Sequence, residues 1–261
     1  MIILANGCSM TYGSELADDE MGRCCDDDFR ERSAWPSRLA ERLGASSAVN
    51  LGAPSGSNDR ILRTTVSWIL GHLTAGTADE LFVAIGWSST ARREFLIDGR
   101  WVQIVPHHDD PDPKIQRFID AYREAAWHEE ECAVRFFTQI NLLQSFLRER
   151  SIRYVFFDAI APLQEAIARI GASDQLAASI NRACYFGYSD IDGCMADQVA
   201  DVFPDNPRKH PSGEGHRYWA ERLAAFVTAN SLLTEHPVDR FNAQVLEARP
   251  RKRRTPWFIY K

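Results

Sequence analysis

The chain of 261 residues is poor in cysteine and contains no long apolar run. Its apolar stretches fall short of the roughly eighteen residues that a membrane-spanning helix needs, so no segment is expected to cross a membrane. The amino-terminal MIILANG lacks the basic region of a secretory signal peptide and instead predicts a buried strand. Six cysteines without a CxxC pair favour reduced thiols and a cytoplasmic location.

Signatures of nucleotide and nucleic-acid binding are missing as well. Neither a GxGxxG pattern nor a P-loop lysine follows the first predicted strand, and no cofactor is expected. The 36 acidic and 30 basic residues give a net charge of −6, although several of the basic residues cluster in the final stretch 249–261. The body of the chain is therefore strongly acidic and is not expected to bind nucleic acid.

Short apolar runs alternate with amphipathic segments along most of the chain. Buried strands are predicted at 2–6, 48–51, 80–85 and 152–158, and helices at 33–43, 58–72, 130–150 and 212–229. Strands that alternate with helices indicate an α/β fold, a three-layer αβα sandwich whose mostly parallel sheet is covered on both faces. The Asp98-Gly99 dipeptide between two apolar runs predicts a β-hairpin.

These elements predict one domain over residues 1–235, with a hairpin and helical insertion at about 94–130. The basic and aromatic tail 236–261 follows it. We expect this tail to pack on the acidic body, with binding of an acidic partner as the alternative. The segment 24–28, CCDDD, is expected to be polar surface or a lid beside an active site.

Two glycine-flanked motifs could carry chemistry. GCSMTYG, from Gly7 to Gly13, directly follows the first strand, where parallel α/β sheets place binding and catalytic groups. Ser9 at such a turn can project its hydroxyl into a crevice, although a plain strand-to-helix turn would look similar. About 200 residues later, His210 precedes Pro211 before the last helix. A histidine there can exchange a proton with a serine hydroxyl, unless it is only a capping or surface residue.

The order of four motifs resembles that of the SGNH (GDSL-like) hydrolase superfamily. GCSMTYG follows the first strand, NLGAPSGSND the second and GWSS the third, and PRKHP precedes the last helix. The resemblance covers roughly residues 1–93 and 150–230. It implies an SGNH/flavodoxin-like sandwich and a serine esterase that acts on a small-molecule or sugar ester without a cofactor or metal.

The resemblance also implies a role for each matching residue. Ser9 matches the nucleophile and His210 the general base. Gly56, or alternatively Gly52, matches the glycine whose N–H helps to stabilise the oxyanion. Ser88 stands where the family has an oxyanion-binding asparagine, and Asn58 is a substitute donor with the same amide chemistry.

Two positions depart from the family pattern. Cys8 replaces the signature aspartate before the nucleophile. Pro207 occupies the place of the triad acid, three residues before His210, so Asp205 is the predicted acid and a Ser-His dyad the alternative. His216 is expected to make a structural hydrogen bond.

Other functions stay open at this stage. An acyltransferase would use the same acyl-enzyme as an esterase. The departures from the family pattern also fit a catalytically silent binding or scaffold module, and the tail could make the protein an interaction partner. His107, His108, Asp109 and Asp110 have metal-compatible donors, but adjacent residues rarely converge on one ion, so a solvated loop is expected.

Overall fold

The computed structural model describes residues 1–19, 23–73, 78–171, 174–189, 193–204 and 210–235. The strands are β1 (Ile2–Asn6), β2 (Ser47–Asn50), β3 (Leu81–Trp87), β4 (Arg93–Ile97), β5 (Arg100–Ile104), β6 (Arg153–Asp158) and β7 (Tyr185–Phe186). The α-helices are α1 (Ser9–Tyr12), α2 (Asp27–Ser33), α3 (Trp35–Leu43), α4 (Asn58–His72), α5 (Pro113–Ala125), α6 (Glu129–Glu149), α7 (Leu163–Ile170), α8 (Gln175–Ala178), α9 (Met195–Val202) and α10 (Gly213–Ala229).

Five strands form one parallel sheet in the order β2-β1-β3-β6-β7. From β1 the chain moves to β2 on one side and then returns to β3 on the other. The direction of the crossovers therefore reverses between β1 and β3, and open α/β sheets bind ligands outside the carboxyl ends of the strands at such a switch point. The predicted parallel sheet is confirmed.

Helices cover both faces of the sheet, as neighbouring residues of β6 show. Phe157 packs against Trp35 of α3 and Trp219 of α10, with ring centroids 5.3 and 5.2 Å apart. Its neighbour Phe156 points to the opposite face, where it contacts Trp87, which in turn packs against Phe136 of α6. Because successive side chains of a strand alternate between faces, α3 and α10 cover one side and α6 the other. The three-layer sandwich is confirmed.

The antiparallel hairpin of β4 and β5 forms where the Asp98-Gly99 turn was predicted. Both turn residues have positive φ, 50° and 73°, as a two-residue hairpin turn requires. A small second core joins the hairpin to α5, and it consists of Ile104, Ile115, Ile119 and Tyr122.

Polar contacts tie the hairpin to the main domain. Glu94 receives two hydrogen bonds from Arg63 of α4, at 2.7 and 2.8 Å. Gln103 donates to Glu94 at 2.6 Å, and its Oε1 accepts the main-chain N–H of Ser57 at 2.9 Å. Ser57 belongs to the loop between β2 and α4, so the hairpin contacts the loop that contains Gly56.

Some elements were not predicted from the sequence: helices α2, α7, α8 and α9 and strand β7. The segment 24–28 leads into α2, whose first turn is capped by the Asp26 carboxylate accepting the Phe29 N–H at 2.8 Å. Asp205 and the tail 236–261 lie outside the described residues. Within the described ranges, we find no helix that is both long and apolar enough to span a membrane.

Candidate active site

The turn that carries Ser9 is fixed by the end of β1. The Asn6 side chain accepts the Gly7 N–H at 2.8 Å and donates to the Ile61 carbonyl of α4 at 3.1 Å. A Cβ atom at Gly7 would lie 2.1 Å from Thr11 Oγ1, so only glycine fits between β1 and α1. Ser9 then begins α1 and keeps 7% of its surface exposed. The serine hydroxyl therefore sits at the carboxyl edge of the sheet.

The loop after β2 packs closely against the turn that contains Ser9. A Cβ atom at Gly56 would lie 3.0 Å from the Gly7 carbonyl oxygen and 3.3 Å from Cys8 Cα, and one at Gly52 would lie 2.6 Å from the Tyr12 nitrogen. The Gly56 N–H donates to the Ala53 carbonyl at 3.0 Å. If the Gly56 N–H binds an oxyanion, it must share its proton with this carbonyl.

Asn58, the first residue of α4, binds Ser88, which directly follows β3, at the carboxyl edge of the sheet. Asn58 Oδ1 accepts the Ser88 N–H at 2.8 Å, and Asn58 Nδ2 donates to the Ser88 carbonyl at 3.1 Å. The amide retains a second N–H beyond this pair. The Ser88 hydroxyl accepts a hydrogen bond from Arg92 Nη1 at 3.1 Å and still has its own proton to donate.

His210 meets a carboxylate that the sequence reasoning missed. Its Nδ1 lies 3.0 Å from Glu15 Oε1, and its main-chain N–H donates to Glu15 Oε2 at 3.2 Å. Glu15 stands in the loop immediately after α1, and the structure therefore brings His210 to the segment that starts with Ser9. In the sequence, the sign of this partner was a carboxylate, Glu15, two residues after the GCSMTYG motif.

His216 lies in the first turn of α10 and is completely buried. Its Nδ1 accepts the main-chain N–H of Trp35, at the start of α3, at 3.1 Å. Burial, together with the nearby His210, lowers the pKa of His216 to about 3. The ring is therefore neutral at physiological pH and joins two helices, which agrees with the structural hydrogen bond predicted for it.

A cavity of about 200 Å³ opens beside Ser88 at the carboxyl ends of β3 and β6. Apolar side chains of α6 and α7 line its floor, including Ala133, Phe136 and Ala166. An ion pair between Arg169 and Glu129, 2.7 Å long and half exposed, stands at its side. Of the predicted site residues, Ser88 lines this cavity, whereas Ser9, Gly56, Asn58 and His210 do not.

The acidic loop 107–110 shows no arrangement suited to a metal. His107 packs edge-on against Trp127, with ring centroids 5.2 Å apart. Across the part of the chain that the structure describes, no three His, Cys, Asp or Glu side chains gather as metal ligands would.

Solved structures with a similar chain path come from esterases and lipolytic proteins. A protein assigned to the lipolytic G-D-S-L family of Desulfitobacterium hafniense is 15% identical, with a TM-score of 0.46, and the match covers 86% of this chain and 98% of that one. A carbohydrate acetylesterase of Sinorhizobium meliloti is 13% identical, with a TM-score of 0.42 and coverages of 87% and 98%. A further carbohydrate esterase is 13% identical, with a TM-score of 0.49 and coverages of 87% and 64%.

At these identities and TM-scores, the three matches describe a similar chain path and nothing further. No curated protein matches the sequence. A family profile does match residues 14–240, which is most of the chain. The protein therefore belongs to the family described as a family of unknown function, DUF6071.

Proposed function

We propose that the protein is a serine hydrolase that removes an acyl group from a small-molecule or sugar ester. The observation that carries this proposal is the contact of His210 with Glu15, directly after the helix that Ser9 begins. A nucleophilic serine needs a base whose far nitrogen is held by a third group, and the 3.0 Å distance between Glu15 Oε1 and His210 Nδ1 supports that role for this pair.

The proposed reaction is acyl transfer in two steps. Ser9 Oγ attacks the ester carbonyl while His210 Nε2 takes its proton, and the alcohol leaves with that proton as the acyl-enzyme forms. Water, activated by the same imidazole, then releases the acid. An acyltransferase would differ only in replacing this water by a second alcohol.

The negative oxygen of the tetrahedral intermediate needs fixed donors. The Ser9 N–H lies in the first turn of α1, where helical N–H groups have no partner within the helix. Gly56, Asn58 and Ser88 supply the further candidates, since the loop of Gly56 touches the Ser9 turn and Asn58 contacts Ser88 directly. The cavity beside Ser88 would take part of the substrate.

A catalytically silent binding module is the second candidate. It is favoured by the Gly56 N–H, which already has a partner, and by the serine that stands where the family has asparagine. Both functions keep the same fold and cavity, so only chemistry at Ser9 separates them.

A fluorophosphonate probe tests the proposal. We expect covalent labelling of Ser9, located by peptide mass spectrometry, together with hydrolysis of short-chain nitrophenyl esters. Ser9→Ala should abolish labelling and turnover with little change in thermal unfolding, whereas Ser14→Ala, a matched serine five residues along, should keep both. Absence of labelling and of ester hydrolysis in the folded wild type would establish the silent module.

A further inference from the structure

We propose that Glu15 is the carboxylate that orients His210, in place of the acid that the family carries upstream of its histidine. This inference rests on the proposed function, because it assigns the third member of the same catalytic group. Glu15 would act through His210 and is therefore a positioning residue.

The two oxygens of one carboxylate engage two sites on one histidine. Oε2 accepts the main-chain N–H of His210 at 3.2 Å, and Oε1 lies 3.0 Å from Nδ1 of its ring. The first contact holds the backbone of His210. The second brings a carboxylate oxygen within reach of Nδ1, and a small turn of the ring would align the Nδ1–H with it. Because a carboxylate only accepts, a hydrogen bond between Nδ1 and Glu15 requires the proton of the neutral ring on Nδ1, and Nε2 then has a lone pair for a serine proton.

The position of Glu15 is set by the same short segment as Ser9. The Ser9 carbonyl accepts the N–H of both Gly13 and Ser14, at 3.0 and 3.1 Å. These bonds end α1 immediately before Glu15. The N–H of Glu15 itself donates to Asp18 Oδ2 at 3.2 Å. Nucleophile and orienting carboxylate thus lie on one rigid stretch, residues 9–15.

Glu15 also has an unusual backbone. Its φ is 69°, in the left-handed region that residues with a side chain adopt rarely, and such strain concentrates at functional sites. A glycine would relieve the strain but would remove the carboxylate. The presence of a glutamate at this strained position supports the positioning role.

The burial of the pair suits the proposed role. The Glu15 and His210 side chains keep 28% and 23% of their surface exposed. The contact is thus largely shielded from water, which strengthens it, while the histidine stays within reach of a substrate.

Matched isosteric variants separate Glu15 from the predicted acid Asp205. We expect Glu15→Gln to lower kcat roughly 100- to 10,000-fold with little change in KM, by analogy with other triads that lose their acid. Asp205→Asn should lower kcat less than about threefold, a near-neutral effect expected for a group outside the triad. Glu15→Asp, which keeps the charge on a shorter side chain, should recover part of the loss. A large effect of Asp205→Asn beside a small effect of Glu15→Gln would overturn the proposal.

The tautomer of His210 gives a readout that does not depend on turnover. In ¹⁵N spectra of the neutral ring, assigned with a His210→Gln variant, we expect the proton on Nδ1 in the wild type and in Asp205→Asn. In Glu15→Gln the main-chain N–H claims the one amide oxygen, so the amide NH₂ faces Nδ1 and the proton should move to Nε2.

The two readouts distinguish the possible failures. A wild-type ring with its proton on Nε2 would overturn the role of Glu15 even if the protein hydrolyses esters. A proton on Nδ1 that depends on Glu15, in a protein that neither hydrolyses esters nor reacts with the probe, would sustain the Glu15 contact and reject the proposed hydrolase.

Discussion

Asn58 and Ser88 exchange two hydrogen bonds, so that one side-chain amide satisfies both main-chain groups of a single residue. Both residues are nearly inaccessible to solvent. The pair joins the first turn of α4 to the carboxyl end of β3, and it places an amide and a hydroxyl beside each other at the predicted oxyanion site. Only the main chain of Ser88 takes part, so replacing the Ser88 side chain should keep the contact, whereas replacing Asn58 removes it.

We predict that Asn58→Ala raises the barrier to ester hydrolysis by roughly 2.7–4 kcal/mol, as loss of an oxyanion donor does in other serine hydrolases. It should also lower the free energy of unfolding by about 1–3 kcal/mol, because the buried Ser88 N–H and carbonyl lose their partners. Ser88→Ala should cost less in both measurements, since its main chain stays bonded to Asn58. Steady-state kinetics and denaturant unfolding of both variants provide the check, and the reverse ranking would assign the asparagine's role to Ser88.

His216 should make stability depend on pH below neutrality. The unfolded histidine takes up a proton near its usual pKa of about 6.5, whereas the buried ring does so only near a pKa of about 3. The unfolded state therefore binds more protons in this window, and the contribution of His216 to stability falls as the pH drops, by about 1.4 kcal/mol per pH unit. Because buried Asp158 contributes an opposite slope over the same range, His216→Gln should turn the pH dependence in urea titrations from pH 4 to 7 into a net loss of stability as the pH rises, and an unchanged slope would refute the assignment.

Asp158 should contribute a slope of the opposite sign. Burial raises the pKa of its carboxyl to about 7, although Tyr185 donates to it at 2.5 Å and the Leu163 N–H at 2.7 Å. Between the ordinary carboxyl pKa and this raised value, the native state binds more protons than the unfolded chain. Stability from this group is therefore lost as the pH rises from about 4 to 7. Asp158→Asn should leave only the rising slope due to His216, measured in the same titrations.

Glycine at position 7 is predicted to be indispensable. Its added Cβ would meet Thr11 Oγ1 at 2.1 Å and the Gly86 carbonyl oxygen at 2.9 Å, so Gly7→Ala must displace α1 from β1. We expect a loss of about 1–3 kcal/mol in unfolding free energy, together with loss of esterase activity. Gly71→Ala is the matched control, because nothing lies within 4 Å of its added Cβ within α4. That variant should gain roughly 0.5–1 kcal/mol in calorimetry.

Local sequence patterns predicted four of the five strands of the parallel sheet, but the eight-residue helices α7 and α9 were not predicted. The alternation of apolar strands and amphipathic helices predicted the sheet, and Asp98-Gly99 predicted a hairpin turn whose two residues indeed have positive φ. β7 was missed because its two residues, Tyr185 and Phe186, are too short to show an alternating pattern. It exists because β6 offers an unpaired edge that these residues can extend.

The candidate site was likewise predictable from the sequence only in part. Gly56, Asn58 and Ser88 follow predicted strands, so the topology alone indicated that they would lie at one edge of the sheet. The contact between Glu15 and His210 spans 195 residues. No local spacing encodes such a pairing, because it depends on how the chain before α10 returns to α1. The family spacing pointed instead to the neighbourhood of Pro207.

The bond from Ser57 to Gln103 gives the loop of Gly56 two supports. At one end of the loop, the Ala53 N–H donates to the Gly7 carbonyl of the Ser9 turn at 3.3 Å. At the other end, the Ser57 N–H donates to Gln103 of the hairpin. Residue 103 thus influences the loop of Gly56 from outside the predicted site. Substituting Gln103 would remove the hydrogen bond between the hairpin and this loop while leaving Ser9, His210 and the cavity beside Ser88 unchanged.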